Sequence, residues 1–293
     1  MKKILLATSA VALMAGAASA EVALSGSARM GLTYSDTAAG STTAFSSRVR
    51  IVFTASGETD TGLSFGASMR ADQFGGHNST DSDGDTVGNT GDTNGDSTVY
   101  ISGGFGKLTM GDVGGAADAL VGQVSGVGYG PNDSLQEIGF VGTTKTAAYY
   151  EYSAGALTFG LGAGQIETGE ELSVGVKYAT DAYSVALGYE TSDAVDAIHL
   201  GGSATFGAAT VKARITDRDD QSDIQWATSL DYAIDATTIT AFYTDFGDSD
   251  TQHYGLGASY DLGGGATFAA GIVQQDAAGV DATFADVGLK FSF

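Results

Sequence analysis

The sequence predicts an all-β protein: a closed antiparallel transmembrane β-barrel of sixteen strands whose third external loop folds inward. Three observations predict this fold. Apolar and polar residues alternate in sixteen short runs, the connections between runs include short turns and longer loops, and one long connection breaks the alternation. An even number of roughly ten-residue strands with alternating hydrophobicity is the signature of a bacterial outer-membrane barrel.

The alternation has a period of two, which places apolar side chains on one face of a strand and polar side chains on the other. The first run, for example, sets Val22 and Leu24 against Ser25 and Ser27. In lipid every backbone N–H and C=O must be paired, and only a closed sheet pairs them all. The predicted strands are 21–35, 45–56, 62–74, 97–103, 107–111, 146–153, 156–166, 171–179, 182–191, 197–206, 209–217, 223–233, 237–246, 252–262, 266–275 and 281–293.

The first part of the chain, residues 1–20, has the pattern of a secretory signal peptide. Lys2 and Lys3 form a basic start, an apolar stretch follows, and Ala18-Ser19-Ala20 is a small-residue cleavage site. The alternative, a transmembrane anchor, would need a longer apolar stretch. We therefore predict a barrel domain of residues 21–293 that is delivered to the outer membrane of a Gram-negative cell.

Composition narrows the class of protein further. The chain has no cysteine, which excludes disulfides and cysteine-based metal sites. Its formal net charge of -22 argues against nucleic acid as a partner, because phosphate contacts need clustered Lys and Arg.

A soluble β-sandwich or β-helix adhesin is the rival fold, since a sandwich also alternates. Here, however, arginines and lysines occupy the polar face, and aromatic residues stand on the apolar face near strand ends. That arrangement is typical of the aromatic girdles of membrane barrels. The girdle candidates are Tyr34, Phe53, Tyr178, Tyr183, Tyr189, Phe206, Tyr232, Tyr254 and Tyr260.

The connection at residues 112–145 differs from all the others and holds the only proline, Pro131. Loops of this length without structure of their own are uncommon and usually functional or disordered. This one carries many apolar residues, which need burial, together with a few acids. We therefore predict that it folds into the barrel lumen and narrows it. The acids considered are Asp118, Asp133 and Glu137.

Four arginines share the lumen-facing phase of the first three predicted strands: Arg29, Arg48, Arg50 and Arg70. Like charges this close repel, which is tolerable in water or opposite carboxylates. A positive wall facing a negative loop would create a strong field across a narrow gap and orient polar solutes. The alternative is a set of scattered, solvated charges in a wide lumen.

Both ends of the sequence resemble a known family. The segments EVALSGSARMGLTYS, SSRVRI and TGLSFGASMR near the start and FADVGLKFSF at the end are similar to the general diffusion porins of alphaproteobacteria, the Rhodobacter type. The terminal Phe293, preceded by Val287, Leu289 and Phe291 at alternate positions, resembles the outer-membrane assembly signal. The resemblance covers both ends well and the middle loosely.

The resemblance implies a homotrimer of sixteen-stranded channels, each narrowed by an inward third loop whose acids face a basic cluster. It places Arg48, Arg50 and Arg70, with Arg29, at the pore constriction, opposite Asp118, Asp133 and Glu137 taken together. The predicted function is a passive outer-membrane channel for ions and small hydrophilic solutes, in contact with outer-membrane lipid and lipopolysaccharide. The alternative is a barrel that acts mainly as an adhesin or receptor through its external loops.

No catalytic function is predicted. Nucleophilic catalysis needs a serine or cysteine beside a positioned base. The three histidines, His77, His199 and His253, lie far apart in the sequence, and no GxSxG motif occurs.

No cofactor is predicted except possible Ca²⁺ at the second long connection. Four acids there could supply the oxygen ligands that calcium prefers: Asp81, Asp83, Asp85 and Asp92. The glycine that a calcium loop of the EF-hand type needs at its sixth position is Thr86 here. A flexible acidic loop therefore explains the segment equally well. Calcium could also bridge loop acids to lipopolysaccharide phosphates.

Overall fold

The computed structural model describes residues 21–72, 79–80, 86–87, 96–132, 134–165 and 170–293. Sixteen strands form one closed antiparallel barrel, and two short strands between the third and fourth barrel strands form a separate small sheet. The elements are β1 (Glu21–Thr37), β2 (Gly40–Glu58), β3 (Ser64–Asp72), β4 (Ser79–Thr80), β5 (Thr86–Val87), β6 (Ser97–Gly103), β7 (Gly106–Gly111), α1 (Ala116–Val121), β8 (Ala147–Ala154), β9 (Leu157–Ala163), β10 (Leu172–Ala179), β11 (Tyr183–Thr191), β12 (Asp196–Phe206), β13 (Ala209–Arg218), β14 (Gln225–Ile234), β15 (Thr237–Asp245), a 3-10 turn (Gly247–Ser249), β16 (Thr251–Gly263), β17 (Ala266–Ala277) and β18 (Val280–Ser292).

The barrel closes where the first strand meets the last. β1 pairs with β18 in register from Ser27 opposite Ser292 to Asp36 opposite Thr283. The C-terminal Phe293 extends this pairing, because its backbone exchanges two hydrogen bonds with Gly26 at 2.6 and 3.0 Å. Closure leaves the barrel sheet without an open edge, which is the condition for crossing lipid.

The outer face of the barrel is apolar. On three neighbouring strands, Val174, Leu187 and Leu200 are 45–50% exposed, whereas alternate residues such as Ser173 and His199 are buried. The nine girdle candidates named above all lie among the exposed large side chains, each at least 37% exposed. Exposed apolar side chains in a continuous band fit contact with lipid rather than water. Within the described residues, no helix is long and apolar enough to cross a membrane.

The two ends of the barrel differ in their connections. At one end, the short-turn end, strands are joined by tight links such as residues 207–208 between β12 and β13. The opposite end, the long-loop end, carries the connections at residues 73–96 and 112–146. This alternation matches the short turns and longer loops of outer-membrane barrels.

The strand prediction was correct in number and wrong at some boundaries. The first connection was predicted at residues 36–44, but β1 and β2 remain paired until Thr37 lies opposite Gly40. Gly40 has a φ of +110°, which permits a tight hairpin turn there. Small polar residues such as Ser41 and Thr42 continue the pairing. Similarly, the strand predicted at residues 156–166 is Leu157–Ala163.

Candidate functional site

The lumen loop, as we name residues 112–145, connects β7 to β8 and lies against the inner wall of the barrel. Its apolar side chains are buried there: Val124 and Ile138 pack together with Ala227 of β14. Burial against the wall removes their surface from water, at about 25 cal/mol per Å² of apolar area. The apolar content of the loop therefore acts to hold it inside the barrel.

The lumen loop begins with helix α1, which packs on β9, β10, β11 and β12. Its first N–H group, that of Ala116, donates to Ser173 Oγ of β10 at 2.7 Å. A wall hydroxyl thus satisfies one of the N–H groups that a helix start leaves unpaired. The helix ends at Gly122, whose positive φ of +68° turns the chain away.

The outgoing arm, residues 122–132, then follows the wall toward β1. Ser125 bonds to β14 twice: its N–H donates to Ser229 Oγ at 2.9 Å and its hydroxyl to Asp231 Oδ2 at 2.6 Å. Farther on, Val127 packs against Val273 of β17. The arm is therefore fixed by both polar and apolar contacts.

The tip of the lumen loop is held by one carboxylate. Asp286 of β18 accepts hydrogen bonds from the backbone N–H groups of Tyr129 at 3.0 Å and Asn132 at 3.3 Å. Asp286 is only 4% exposed, and Tyr129 is fully buried. Both bonds join the loop backbone to a buried carboxyl group of the wall, so Asp286 anchors the tip.

The return arm, residues 134–145, runs back along the wall from β16 to β10. His253 of β16 lies 2.6 Å from the carbonyl oxygen of Leu135 through Nδ1. Thr244 of β15 donates its hydroxyl to Gln136 O at 2.9 Å. Each bond joins a wall side chain to the loop backbone, and so holds the arm without depending on loop side chains.

Arg214 of β13 makes the densest contact with the return arm. Its guanidinium group donates to Ile138 O at 2.7 Å and to Gly139 O at 3.2 Å. The same group lies over the ring of Phe140, 3.7 Å from its centroid. Arg214 is only 2% exposed, and buried cation–π contacts are stronger than exposed ones.

Glu190 and His199 lie beside Arg214 and contact the same part of the lumen loop. We call these three residues the clasp. Glu190 Oε2 accepts the Val141 N–H at 2.8 Å and lies 3.0 Å from His199 Nε2. Arg214 and Thr216 both approach His199 Nδ1, at 3.2 and 3.0 Å. Because arginine only donates, Nδ1 is the acceptor. We therefore assign the imidazole proton to Nε2, which donates to Glu190.

The base of the lumen loop is closed by an ion pair between Lys145 and Asp112. The Asp112 carboxylate also accepts the backbone N–H of Asp96 at 2.9 Å. Burial by itself raises the pKa of Asp112, but the hydrogen bonds from Lys145 and Asp96 hold that pKa below its ordinary value. The carboxylate form of Asp112 is therefore stabilised.

The predicted wall arginines lie on the other side of the barrel, since β11, under α1, is eight strands from β1 in either direction. Arg50 of β2 makes a bidentate pair with Asp72 of β3, with Nε at 2.9 Å and Nη2 at 2.7 Å. Arg70 lies 3.3 Å from Asp72 and 2.6 Å from Asp96. On β2 and β3 the predicted arginines therefore stand beside carboxylates, which partly balance their positive charge.

Arg29 and Arg48 face each other in register on β1 and β2. Like charges directly opposite destabilise a strand pair. The tip of the lumen loop lies on Arg29, because a Cβ at Gly130 would overlap its guanidinium group. Arg29 is therefore only 6% exposed, whereas Arg48 is partly exposed in the lumen.

Asp118 lies in the first turn of α1, and its side chain is exposed. Limited hydration raises the pKa of its carboxyl group, and the charge of Glu190 raises it further. Arg214, Lys145 and His199 act in the opposite direction without cancelling the rise. The charge of Asp118 is therefore lost at a higher pH than that of an ordinary aspartate.

Glu137 is exposed on the return arm, and its negative charge attracts the guanidinium group of Arg214. The structure thus places Asp118 and Glu137 on the same loop, at the side of the lumen opposite the arginines of β1–β3. The third predicted loop acid, Asp133, lies outside the described residues. So do the four predicted calcium ligands, Asp81, Asp83, Asp85 and Asp92.

The residues that anchor the lumen loop were not found from the sequence. Arg214, Glu190 and Asp286 bond to loop backbone groups, which every residue has, so no complementary pattern appears in the loop sequence. The sequence offered one indirect signal for these three residues: each is a charged residue at a strand position whose side chain faces the lumen. The pairing of Asp72 with Arg50 depends on the register of β2 and β3, which the sequence did not define.

A closed sixteen-stranded barrel with an apolar outer face and a lumen partly filled by its own loop defines a class of protein, the outer-membrane channel. The family model for Gram-negative porins matches residues 7–279. The chain belongs to the Gram-negative porin family. As expected from this membership, it is a passive outer-membrane channel for ions and small hydrophilic solutes, and the adhesin or receptor alternative is not favoured.

Individual relatives agree with this assignment. The chain is 36% identical to a porin of Rhodobacter capsulatus over 93% of this chain and 100% of the relative. A porin structure refined at 1.8 Å resolution matches with a TM-score of 0.75 and 35% identity, covering 93% of this chain and 100% of that one. An engineered Rh. blastica porin has a TM-score of 0.74 at 24% identity with the same coverage, a likeness of fold alone.

Proposed function

We propose that the lumen loop forms the constriction of the channel. The observation that carries this proposal is the course of the loop: its anchors run from β10 through β18 to Arg29 on β1. Space for solutes then remains along β2, β3 and β6–β8, between the loop and the uncovered wall. Polar side chains of these strands, such as Thr98, Tyr100 and Thr109, would line that passage.

The charges on the two sides of the proposed passage differ. Asp118 and Glu137 give the loop side negative charge. The wall side carries Arg48, Arg50 and Arg70, partly neutralised by Asp72 and Asp96, while Arg29 lies under the tip of the loop. A transverse field would therefore remain across the gap, weaker than four uncompensated arginines would produce, and it would favour polar solutes over apolar ones.

Charge variants test this field. Arg48→Ser with Arg50→Ser removes positive charge from the wall and should raise the preference for cations, measured as a reversal potential in a salt gradient. Asp118→Asn with Glu137→Gln should shift the preference toward anions. Exposed charges are screened over roughly 10 Å at 0.1 M salt, so both shifts should shrink in concentrated salt.

Asp181→Asn is the matched control, since it removes one acid at a short turn away from the lumen loop. Its reversal potential should equal that of the unaltered protein. If both pairs of lumen variants also keep that reversal potential, the charged constriction is refuted.

We propose that the channel is a homotrimer that contacts lipid and lipopolysaccharide. In support, Val22 and Leu24 of β1 are 68% and 66% exposed, and Ala28 and Ala285 would allow close approach of a second barrel. Small residues promote such approach between membrane helices. A native mass of one protomer in mild detergent would contradict the trimer.

Two further proposals concern residues outside the described ranges. Residues 1–20 are proposed to be cleaved, and N-terminal sequencing that does not begin at Glu21 would contradict this. Calcium is proposed to bind the acidic connection through Asp81, Asp83, Asp85 and Asp92. Equal melting temperatures in calcium and in chelator would contradict that site.

No catalysis is proposed. Two of the three histidines, His199 and His253, contact groups that anchor the lumen loop, and this gives them a structural role.

A further inference from the structure

Glycine is frequent on the inner wall beneath the lumen loop. Glycine inside a strand lowers stability and often marks a place where another backbone approaches closely. Gly188 of β11, Gly201 of β12 and Gly271 of β17 do not have the positive φ that requires glycine. Their backbone would accept alanine, so the reason for glycine must be space.

The space at these positions is taken up by the lumen loop. A Cβ at Gly188 would lie 2.6 Å from Ala117 Cβ and 2.8 Å from Ala117 Cα. At Gly201 it would lie 2.7 Å from Val121 Cγ1. Ordinary van der Waals contact to a Cβ begins at about 3.4 Å. Alanine at either position would therefore collide with α1.

The same holds under the outgoing arm. A Cβ at Gly271 would lie 2.6 Å from the backbone nitrogen and 2.9 Å from the Cα of Gly128. At Gly257, on the neighbouring strand and in register with Gly271, it would lie 2.8 Å from Val127 Cβ. Here the loop backbone itself rests on the wall.

The glycines form two rows, one under each part of the loop. The first row crosses β9–β12 beneath α1, and the second crosses β16–β18 and β1 beneath residues 127–129. Between the rows, on β13–β15, the wall instead carries polar anchors such as Arg214, Ser229 and Thr244. The first row is Gly160, Gly175, Gly188 and Gly201, and the second is Gly257, Gly271, Gly288 and Gly31. At Gly288 and Gly31 a Cβ would meet the backbone of the neighbouring strand as well as the ring of Tyr129.

We propose that these two rows, the glycine seat, set how far the lumen loop stands from the wall and thereby set the width of the channel. The seat glycines are positioning residues: they touch no solute and act through the loop. Adding a methyl group beneath the loop displaces it toward the passage, because the barrel wall behind is a hydrogen-bonded sheet. This inference rests on the proposed role of the loop as the constriction.

Single-channel conductance tests the seat. Gly188→Ala and Gly201→Ala should each move α1 by roughly an ångström to restore ordinary contact distances. Both variants should lower the conductance and the rate at which larger sugars enter liposomes. Gly271→Ala should do the same through the outgoing arm.

A compensating change separates positioning from general damage. Val121→Ala removes the Cγ1 atom that a methyl at Gly201 would meet, so Gly201→Ala with Val121→Ala should recover the conductance of the unaltered protein. The control is Gly104→Ala, which adds a methyl at the short turn between β6 and β7, away from the lumen loop, where nothing lies within 4 Å of it. Its conductance should be unchanged.

A substitution in the lumen loop tests the same contact in case the glycine variants of the barrel do not fold. Ala117→Val adds volume against Gly188 while every strand keeps its sequence, and it should lower the conductance as Gly188→Ala does. Folded barrels are identified by heat-modifiable migration in gels. Unchanged conductance in folded Gly188→Ala, Gly201→Ala and Ala117→Val proteins, or no recovery with Val121→Ala, would overturn the seat.

Truncation of the lumen loop distinguishes an error in the glycine seat from an error in the proposed constriction. If truncation of the lumen loop raises the conductance but the seat variants leave it unchanged, the seat alone is wrong. If truncation also leaves the conductance unchanged, the loop is not the constriction.

Discussion

Removal of residues 124–137 from the lumen loop is expected to raise single-channel conductance more than any point substitution. The flanking residues are already neighbours: Gln123 Nε2 donates to Ile138 O at 2.8 Å, and Ile138 N–H donates to Gln123 Oε1 at 3.3 Å. The shortened chain can therefore close without pulling on the strands. The tip over Arg29 and most of both arms would be lost, which opens the lumen.

The truncated barrel should still fold, because its strands pair all the way round without the loop. Its integrity can be checked by heat-modifiable migration and by the fluorescence of Trp226. This single tryptophan stands on the outer face, 4.9 Å from Tyr243 between ring centroids. A folded truncated barrel with unaltered conductance would show that the loop does not narrow the channel.

Arg214→Met is expected to release the return arm of the lumen loop. The substitution keeps an unbranched apolar stem but removes the guanidinium group, and with it both hydrogen bonds to the backbone of the arm. It also leaves Glu190, 2% exposed, without its cationic neighbour. Leaving a buried hydrogen-bonding group without its partner typically costs about 1–3 kcal/mol. Because the barrel remains closed, the loss should appear as cleavage of the loop by an added protease and as noisier channel current.

Arg218→Met is the matched control on the same strand. Arg218 pairs with Asp220 at 2.9 Å near the long-loop end, and exposed pairs contribute about 0–1 kcal/mol. This variant should resist the protease as the unaltered protein does. If Arg214→Met resists it equally well, the clasp does not hold the loop.

The barrel was predictable because lipid imposes a simple rule on the sequence. A strand with one face in lipid must alternate, and this made even two of the shorter predicted runs, at residues 107–111 and 146–153, correct to within a residue at each end. The boundary at the first hairpin was wrong because small polar residues near Thr42 show no clear alternation. They fit equally well in a strand or a loop.

The site was only partly predictable. The arginines and acids could be assigned to a wall and a loop by their phase, but not to partners. Arg50 pairs with Asp72 because β2 and β3 set these residues opposite each other, a register that period alone does not determine. The polar side chains of the wall bond mostly to backbone groups of the lumen loop, which are the same in every residue. The glycine seat consists of positions that have no side chain. For these reasons neither feature produces a pattern in the sequence that predicts it.

The position of α1 beside the passage can be measured directly with a single cysteine, since the natural sequence has none. Asp118→Cys would be labelled with a bulky thiol-reactive polymer and its single-channel conductance recorded before and after. Val174→Cys, on the outer face, is the control. Labelling at Asp118 is expected to lower the conductance sharply, whereas labelling at Val174 is expected to leave it unchanged. Complete labelling at Asp118, verified by mass, with unaltered conductance would contradict it.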